Sequence, residues 1–328
     1  MKYLFYTLCL SMSLFTSSCN TTQVQAQKNH NKSKTTAKTV AKTLEKPPFT
    51  SYFQSPTLQQ KIAKVGESSQ ALQLSLAKEN IHQDSSMVQW LKDNNLNLPF
   101  AIYHDHPMAK GFKRPISQDT LLTKFQKKTI NGIEMHLAHS LQQENYIFLF
   151  YGSAPNELHV IEETWCLIIL EAKTMTERYV FDFSNYKLAP EYIHKDKNYV
   201  KQNLLWAQIE DGILYVSNAH ATYAQSSRGM NAYITAIDLA KGNIYWRSQP
   251  LVCNSMNFLI KGQNIISTYG FNREGSEVFA INKVTGKMVN KLDIEPKSSD
   301  KKYISFLFDK GNEVYLYAYN KSYIVKIE

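Results

Sequence analysis

The sequence predicts an all-β fold assembled from one recurring four-strand unit, and three observations carry that reading. A glycine-led strand recurs as Gly212-Ile-Leu-Tyr-Val-Ser217, Gly262-Gln-Asn-Ile-Ile-Ser267 and Gly311-Asn-Glu-Val-Tyr-Leu316, at steps of 50 and 49 residues. Each copy has an apolar strand run before it (204–210, 256–260, 303–308) and another after it (233–238, 277–282, 322–327). A fourth run, at 243–247 and 287–292, completes the first two copies. The alternating and β-branched character of these runs reads as strand and not helix.

An earlier copy begins at Asn145, 67 residues before the next, with a polar insertion at 191–202. Its four runs are 133–140, 145–150, 163–170 and 178–183. Four short strands per 40–50 residues is the sequence signature of a β-propeller blade. The turn between third and fourth strands reads Ala236-Ile-Asp238-Leu-Ala-Lys-Gly242-Asn-Ile-Tyr-Trp246 in one copy. The next reads Ala280-Ile-Asn282-Lys-Val-Thr285-Gly286-Lys287-Met-Val-Asn290. Asp238 or Asn282 is expected to cap the turn with its own side chain, and Gly242 or Gly286 to take the positive φ that closes it. Trp246 is expected to plug the gap between neighbouring blades. These turns resemble the repeat of quinoprotein-type, PQQ-like propellers, over about residues 145–328. The copy at 145–184 lacks the turn signature, having Ala172, Thr174 and Thr176 there.

The predicted fold is thus a small β-propeller of four or five blades with PQQ-like repeats and a short N-terminal helical segment. The last copy lacks a fourth strand, which a segment from the other end of the repeat region is expected to supply. Residues 120–126 are the candidate; residues 99–103 would instead seed a fifth blade. Upstream, Leu58, Ile62, Val65, Leu72 and Leu76 fall near one face and predict a helix over 57–80, with a second short helix over 85–94. The expected organisation is 1–18 signal peptide, 19–48 tether, 49–98 helical segment packed on the propeller, and 99–328 propeller.

Lys2 followed by the apolar run from Leu4 to Phe15 reads as a secretory signal. Thr16-Ser17-Ser18-Cys19 resembles the site of bacterial lipoproteins, which implies lipidation of Cys19. Asn20 after it points, by the same resemblance, to the outer membrane on its periplasmic side. Cleavage after Val24-Gln25-Ala26 is the rival and would release a soluble or secreted protein. Residues 20–47 hold six lysines against Glu45 alone, so this polar stretch carries most of the net charge of +9. Such a segment cannot bury itself and reads as a solvated tether. With the excess charge there and not on a folded face, nucleic acid is not an expected partner.

Candidate chemistry is sparse. His104-Asp105-His106 has metal-ligand types at close spacing, but no HExxH or paired-cysteine motif accompanies it. His136 and His139, three apart on a strand, are expected on opposite faces and so not to form a ligand pair. Cys166 and Cys253 are expected as buried free thiols. Tyr315, Tyr317 and Tyr319 alternate along one strand and are expected to pack between blades. Ser227-Arg228-Gly229 lies in a long loop suited to partner contact. Quinoprotein dehydrogenases carry an acidic base and bound calcium that no motif here supplies, so the resemblance implies the fold and no cofactor. The expected role is a non-enzymatic periplasmic binding or scaffold lipoprotein with a protein partner. An immunity-type lipoprotein that neutralises a periplasmic toxin, or an enzyme with a site on the propeller axis, are the alternatives.

Overall fold

A computed structural model describes residues 49–52, 72–81, 87–96, 101–103, 124–157, 161–184, 200–220, 222–271, 274–295, 304–318 and 321–328. The chain divides into two units, Met1–Lys46 and Pro47–Glu328, and all these residues lie in the second. The reading of Cys19, the signal and the tether through residue 48 falls outside the described residues, as do His104, Asp105, His106 and Tyr319.

The elements before the repeats are β1 (Phe49–Tyr52), β2 (Leu74–Ile81), α1 (Met87–Asp93), β3 (Ala101–Tyr103) and β4 (Lys127–Ile130). Blade 1 follows as β5 (Ile133–Gln143), β6 (Tyr146–Gly152), β7 (Thr164–Glu171) and β8 (Thr176–Asp182). Blade 2 is β9 (Gln202–Glu210), β10 (Ile213–His220), β11 (Tyr233–Asp238) and β12 (Asn243–Arg247). Blade 3 is β13 (Leu259–Lys261), β14 (Asn264–Phe271), β15 (Gly275–Asn282) and β16 (Met288–Glu295). Blade 4 contains β17 (Ile304–Lys310), β18 (Glu313–Ala318) and β19 (Lys321–Ile327). Every blade is an antiparallel meander, the architecture of a four-bladed β-propeller. A single parallel bridge, Thr164 to Asn203, joins the sheets of blades 1 and 2.

Blade 4 is completed by β2, which corrects two expectations at once. The stretch 74–80, expected as the end of a helix, is a strand antiparallel to β19, from Leu74 opposite Ile327 to Ile81 opposite Lys321 with one register shift at Ile324/Val325. Gln73 and Glu328 exchange both backbone hydrogen bonds at the end of this pair (2.9 and 3.0 Å). Ala77, Lys78 and Glu79 are good helix formers, but an unpaired edge of β19 offers a ladder of hydrogen bonds that outweighs weak propensity. β2 thus takes the place expected of residues 120–126, of which 120–123 lie outside the described residues. Lys124 and Phe125 are helical, and the Phe125 carbonyl accepts the Tyr151 hydroxyl at 2.7 Å. Residues 101–103 pair with β5 and seed no fifth blade.

The second expected helix is present as α1, and its Trp90 shows what it does. The indole sits 5.1, 5.5 and 6.5 Å from the rings of Tyr317, Phe308 and Tyr315 on blade 4. Alternation sends Val314, Leu316 and Ala318 of the same strand into a separate cluster with Ile266, Val278 and Ala280 of blade 3. Both faces of the sheet are thus buried, which is why these strands read as nearly continuous apolar runs. Removing Trp90 would cost about 3–5 kcal/mol on this packing.

Candidate functional site

The two ends of the strands differ. At one end the turns are tight and repeat their bonding from blade to blade. The turns between third and fourth strands are closed by Met175 N–H to Glu171 C=O (2.8 Å), Gly242 to Asp238 (2.6 Å) and Gly286 to Asn282 (2.8 Å). The carboxylate of Asp238 accepts the amides of Ala240 and Lys241 at 2.9 and 3.1 Å, and these bonds, Lys241 first, hold its pKa below the usual range. The Asn282 amide oxygen accepts from Val284 N, Thr285 N and the Thr285 hydroxyl at 3.0, 2.9 and 3.1 Å. Lys287 accepts Asn282 N–H on its carbonyl.

These turns also lock blades together. Trp246 donates its indole N–H to the Lys283 carbonyl at 3.0 Å, and a Cβ at Gly286 would lie 2.5 Å from its ring. The buried Lys283 ammonium meets Glu210 of blade 2 at 2.7 Å, and this bond raises its pKa. So the repeat residues Asp238, Gly242, Trp246, Asn282, Thr285, Gly286 and Lys287 lie in turns and blade contacts.

The opposite end carries the long connections, 153–163, 183–201, 221–232 and 248–258. Here the loop holding Ser227-Arg228-Gly229 is built from buried polar groups. Ala224–Ser227 form a 3-10 turn, capped by Arg228 in left-handed backbone (φ 53°). The Asn231 side chain accepts the His220 backbone N–H at 2.8 Å and donates to its carbonyl at 3.3 Å, clasping the two ends of the loop. His220 Nε2 lies 2.8 Å from Ser227 Oγ, which in turn donates to the Ala224 carbonyl. The other ring nitrogen, Nδ1, is buried with no hydrogen-bond partner among the described residues. Burial lowers the His220 pKa to about 4. Both side chains of this pair are buried.

Blade 3 braces the same loop. Glu274 accepts the Ala224 N–H at 2.8 Å and the Tyr269 hydroxyl with its other oxygen. Tyr223 stands edge-on to Phe271 at 5.2 Å and is 43% exposed. Gln225 and Arg228 also face solvent. The sequence marked this loop through Ser227, Arg228 and Gly229. It gave no sign of His220, Asn231 or Glu274, because side chains that bond backbone at a distance follow no short spacing.

Two further expectations meet the structure here. His136 and His139 share a face and are not on opposite ones: a register shift after Leu137 sets His136 opposite Gly152 and His139 opposite Phe150, two residues apart on β6. The bulge adds one residue and so cancels the odd spacing. His139 stacks on Phe150 at 4.2 Å, and His136 lies 3.3 Å from Glu134. No metal-binding group of three such ligands occurs among the described residues. Cys166 and Cys253 are free and buried, and burial pushes the Cys253 thiol up to about 12. No described helix is long and apolar enough to cross a membrane.

No family model matches the chain, and no curated protein does. Among solved structures, the computationally designed Ika8 protein is similar at 9% identity, over 61% of this chain and 57% of its own, with a TM-score of 0.35. A europium-containing methanol dehydrogenase is similar at 9% identity (62% and 42%, TM-score 0.32). The quinohemoprotein alcohol dehydrogenase from Comamonas testosteroni is similar at 14% (53% and 35%, TM-score 0.35). The chain spans less than two thirds of the length of each of these structures. The likeness concerns strands and sheets, and neither dehydrogenase activity comes with it.

Proposed function

We propose that the protein is a non-enzymatic binding module of the bacterial envelope, tethered through a lipid on Cys19, that holds a protein partner on the long-loop end of its propeller. The observation that carries this reading is the loop 222–232. Its interior is tied down by Asn231, Ser227 and Glu274, while Tyr223, Gln225 and Arg228 face solvent. A loop already ordered before binding loses little conformational entropy on contact. Tyrosine and arginine are the residue types that most often supply the large contributions at protein interfaces.

Two measurements test the parts separately. Capture of envelope proteins by the intact chain should yield a stoichiometric partner, and Tyr223→Ala with Arg228→Ala should weaken its retention by about tenfold or more. Undiminished retention by the double variant would remove this loop from the interface. For the anchor, Cys19→Ala should move the protein from the membrane to the soluble fraction; a variant that stays in the membrane fraction would refute lipidation there.

A further inference from the structure

The face that blade 3 turns toward blade 4 is apolar until it nears the end with the long connections. Pairing of β14 with β15 runs without a register shift from Asn264 opposite Asn282 to Phe271 opposite Gly275. Since successive residues alternate sides, Ile266, Thr268 and Gly270 share one face with their opposites Ala280, Val278 and Ser276. Ile266, Val278 and Ala280 belong to the cluster that Ile304, Leu316 and Ala318 complete from blade 4. Thr268 and Ser276 continue that face and are as deeply buried, each 1% exposed.

Neither Thr268 Oγ1 nor Ser276 Oγ has a hydrogen-bond partner among the described residues. The backbone beside them is already engaged. Asn254, from the connection between blades 2 and 3, donates its N–H to the Thr268 carbonyl at 3.0 Å. Its side chain donates to the Gly270 carbonyl at 2.8 Å and accepts the Gly270 N–H at 3.1 Å. Ser276 leans over Gly270, where a Cβ would come 2.8 Å from its Oγ, and so toward the strand that carries Thr268. The two residues are diagonal neighbours across the pair, close enough for longer contacts between their side chains. Burying a hydroxyl without a partner is costly. Valine and alanine fill such positions without that cost, as Val278 and Ala280 do on the same face.

We propose that Thr268 and Ser276 form an internal water site in the seam between blades 3 and 4, with one water bridging the two hydroxyls. Buried waters characteristically bond polar groups that lack a protein partner. Two hydroxyls, each able to donate and to accept, meet a water in either order. The water satisfies both groups while Ile266, Val278 and Ala280 keep their apolar contacts. This site is separate from the loop 222–232, so the partner contact proposed there and this site can fail independently.

A crystal structure of the full chain with its waters resolved should show one water within hydrogen-bond distance of both oxygens. An empty position, or hydroxyls turned onto protein carbonyls, would overturn the proposal. The thermodynamic counterpart is a cycle of Thr268→Val, Ser276→Ala and the double variant in urea unfolding, all close in shape to the parent. With a shared water, each single substitution removes one of its two anchors and lowers the midpoint. The double variant then loses less than the sum of the singles. With dry hydroxyls, each single substitution removes an unmet polar group and raises the midpoint. Raised midpoints, or losses that simply add, would rule out a shared water.

Discussion

Met175 occupies left-handed backbone (φ 56°) at the position that Gly242 and Gly286 hold in the next two blades. Its blade keeps the turn geometry after losing the turn's sequence, which is why the copy at 145–184 looked degenerate to motif reading. The tolerance has a limit that two substitutions measure. Glu144 is exposed at φ 47°, so Glu144→Gly should raise stability by about 0.5–1 kcal/mol. Gly286→Ala should lower it by about 2 kcal/mol or more, because its Cβ would meet the Trp246 ring as well as the positive φ. Urea midpoints of the two variants, moving in opposite directions, check both. His220 gives a pH test. Its folded pKa, about 4, lies below the ordinary value near 6.5, so between these values the unfolded chain binds a proton that the native protein refuses. Stability should fall as pH drops from 6.5 through 4, by up to about 3 kcal/mol. His220→Gln keeps a hydrogen-bonding group toward Ser227 but cannot titrate, and its urea midpoint should lose less over that interval.

At the scale of elements, the sequence was legible wherever local chemistry and long-range pairing agree. The strands of blades 2 and 3 were readable because glycine turns punctuate them, and β12 begins and ends where its pattern said. β2 was misread because its partner lies about 250 residues away and its residues are individually at ease in a helix. Only Leu74 is buried along it, so no apolar alternation announced a strand. The same gap explains the site: Ser227 sits in a visible loop, whereas Glu274 reaches it from another blade. Deleting residues 74–81 should leave β19 with an open edge and turn a monomer into an aggregating species. A monomeric deletion variant in size-exclusion chromatography would show that another segment closes the blade.

The whole molecule distributes its tasks between its two ends. One end is a ring of hairpins whose bonds recur, with the Lys283–Glu210 and Trp246–Lys283 contacts joining neighbouring blades. The other collects the connections that vary in length, and with them the candidate contact residues Tyr223 and Arg228. Repeat spacing and turn glycines made the first end legible, since they are consequences of the fold itself. The second follows no periodicity because nothing in the sheet geometry dictates its length.

The pairing of β2 with β19 also fixes an order of events. β2 leaves the ribosome early and waits for a partner encoded about 250 residues later, so blades 1 to 3 can form while blade 4 still lacks its outer strand. Loop-closure entropy makes that final pairing the slowest kind of contact for a chain to find. Until it forms, the nascent protein remains an open arc with adhesive ends. A ring built this way cannot shut before β19, the partner of its early strand, has been made.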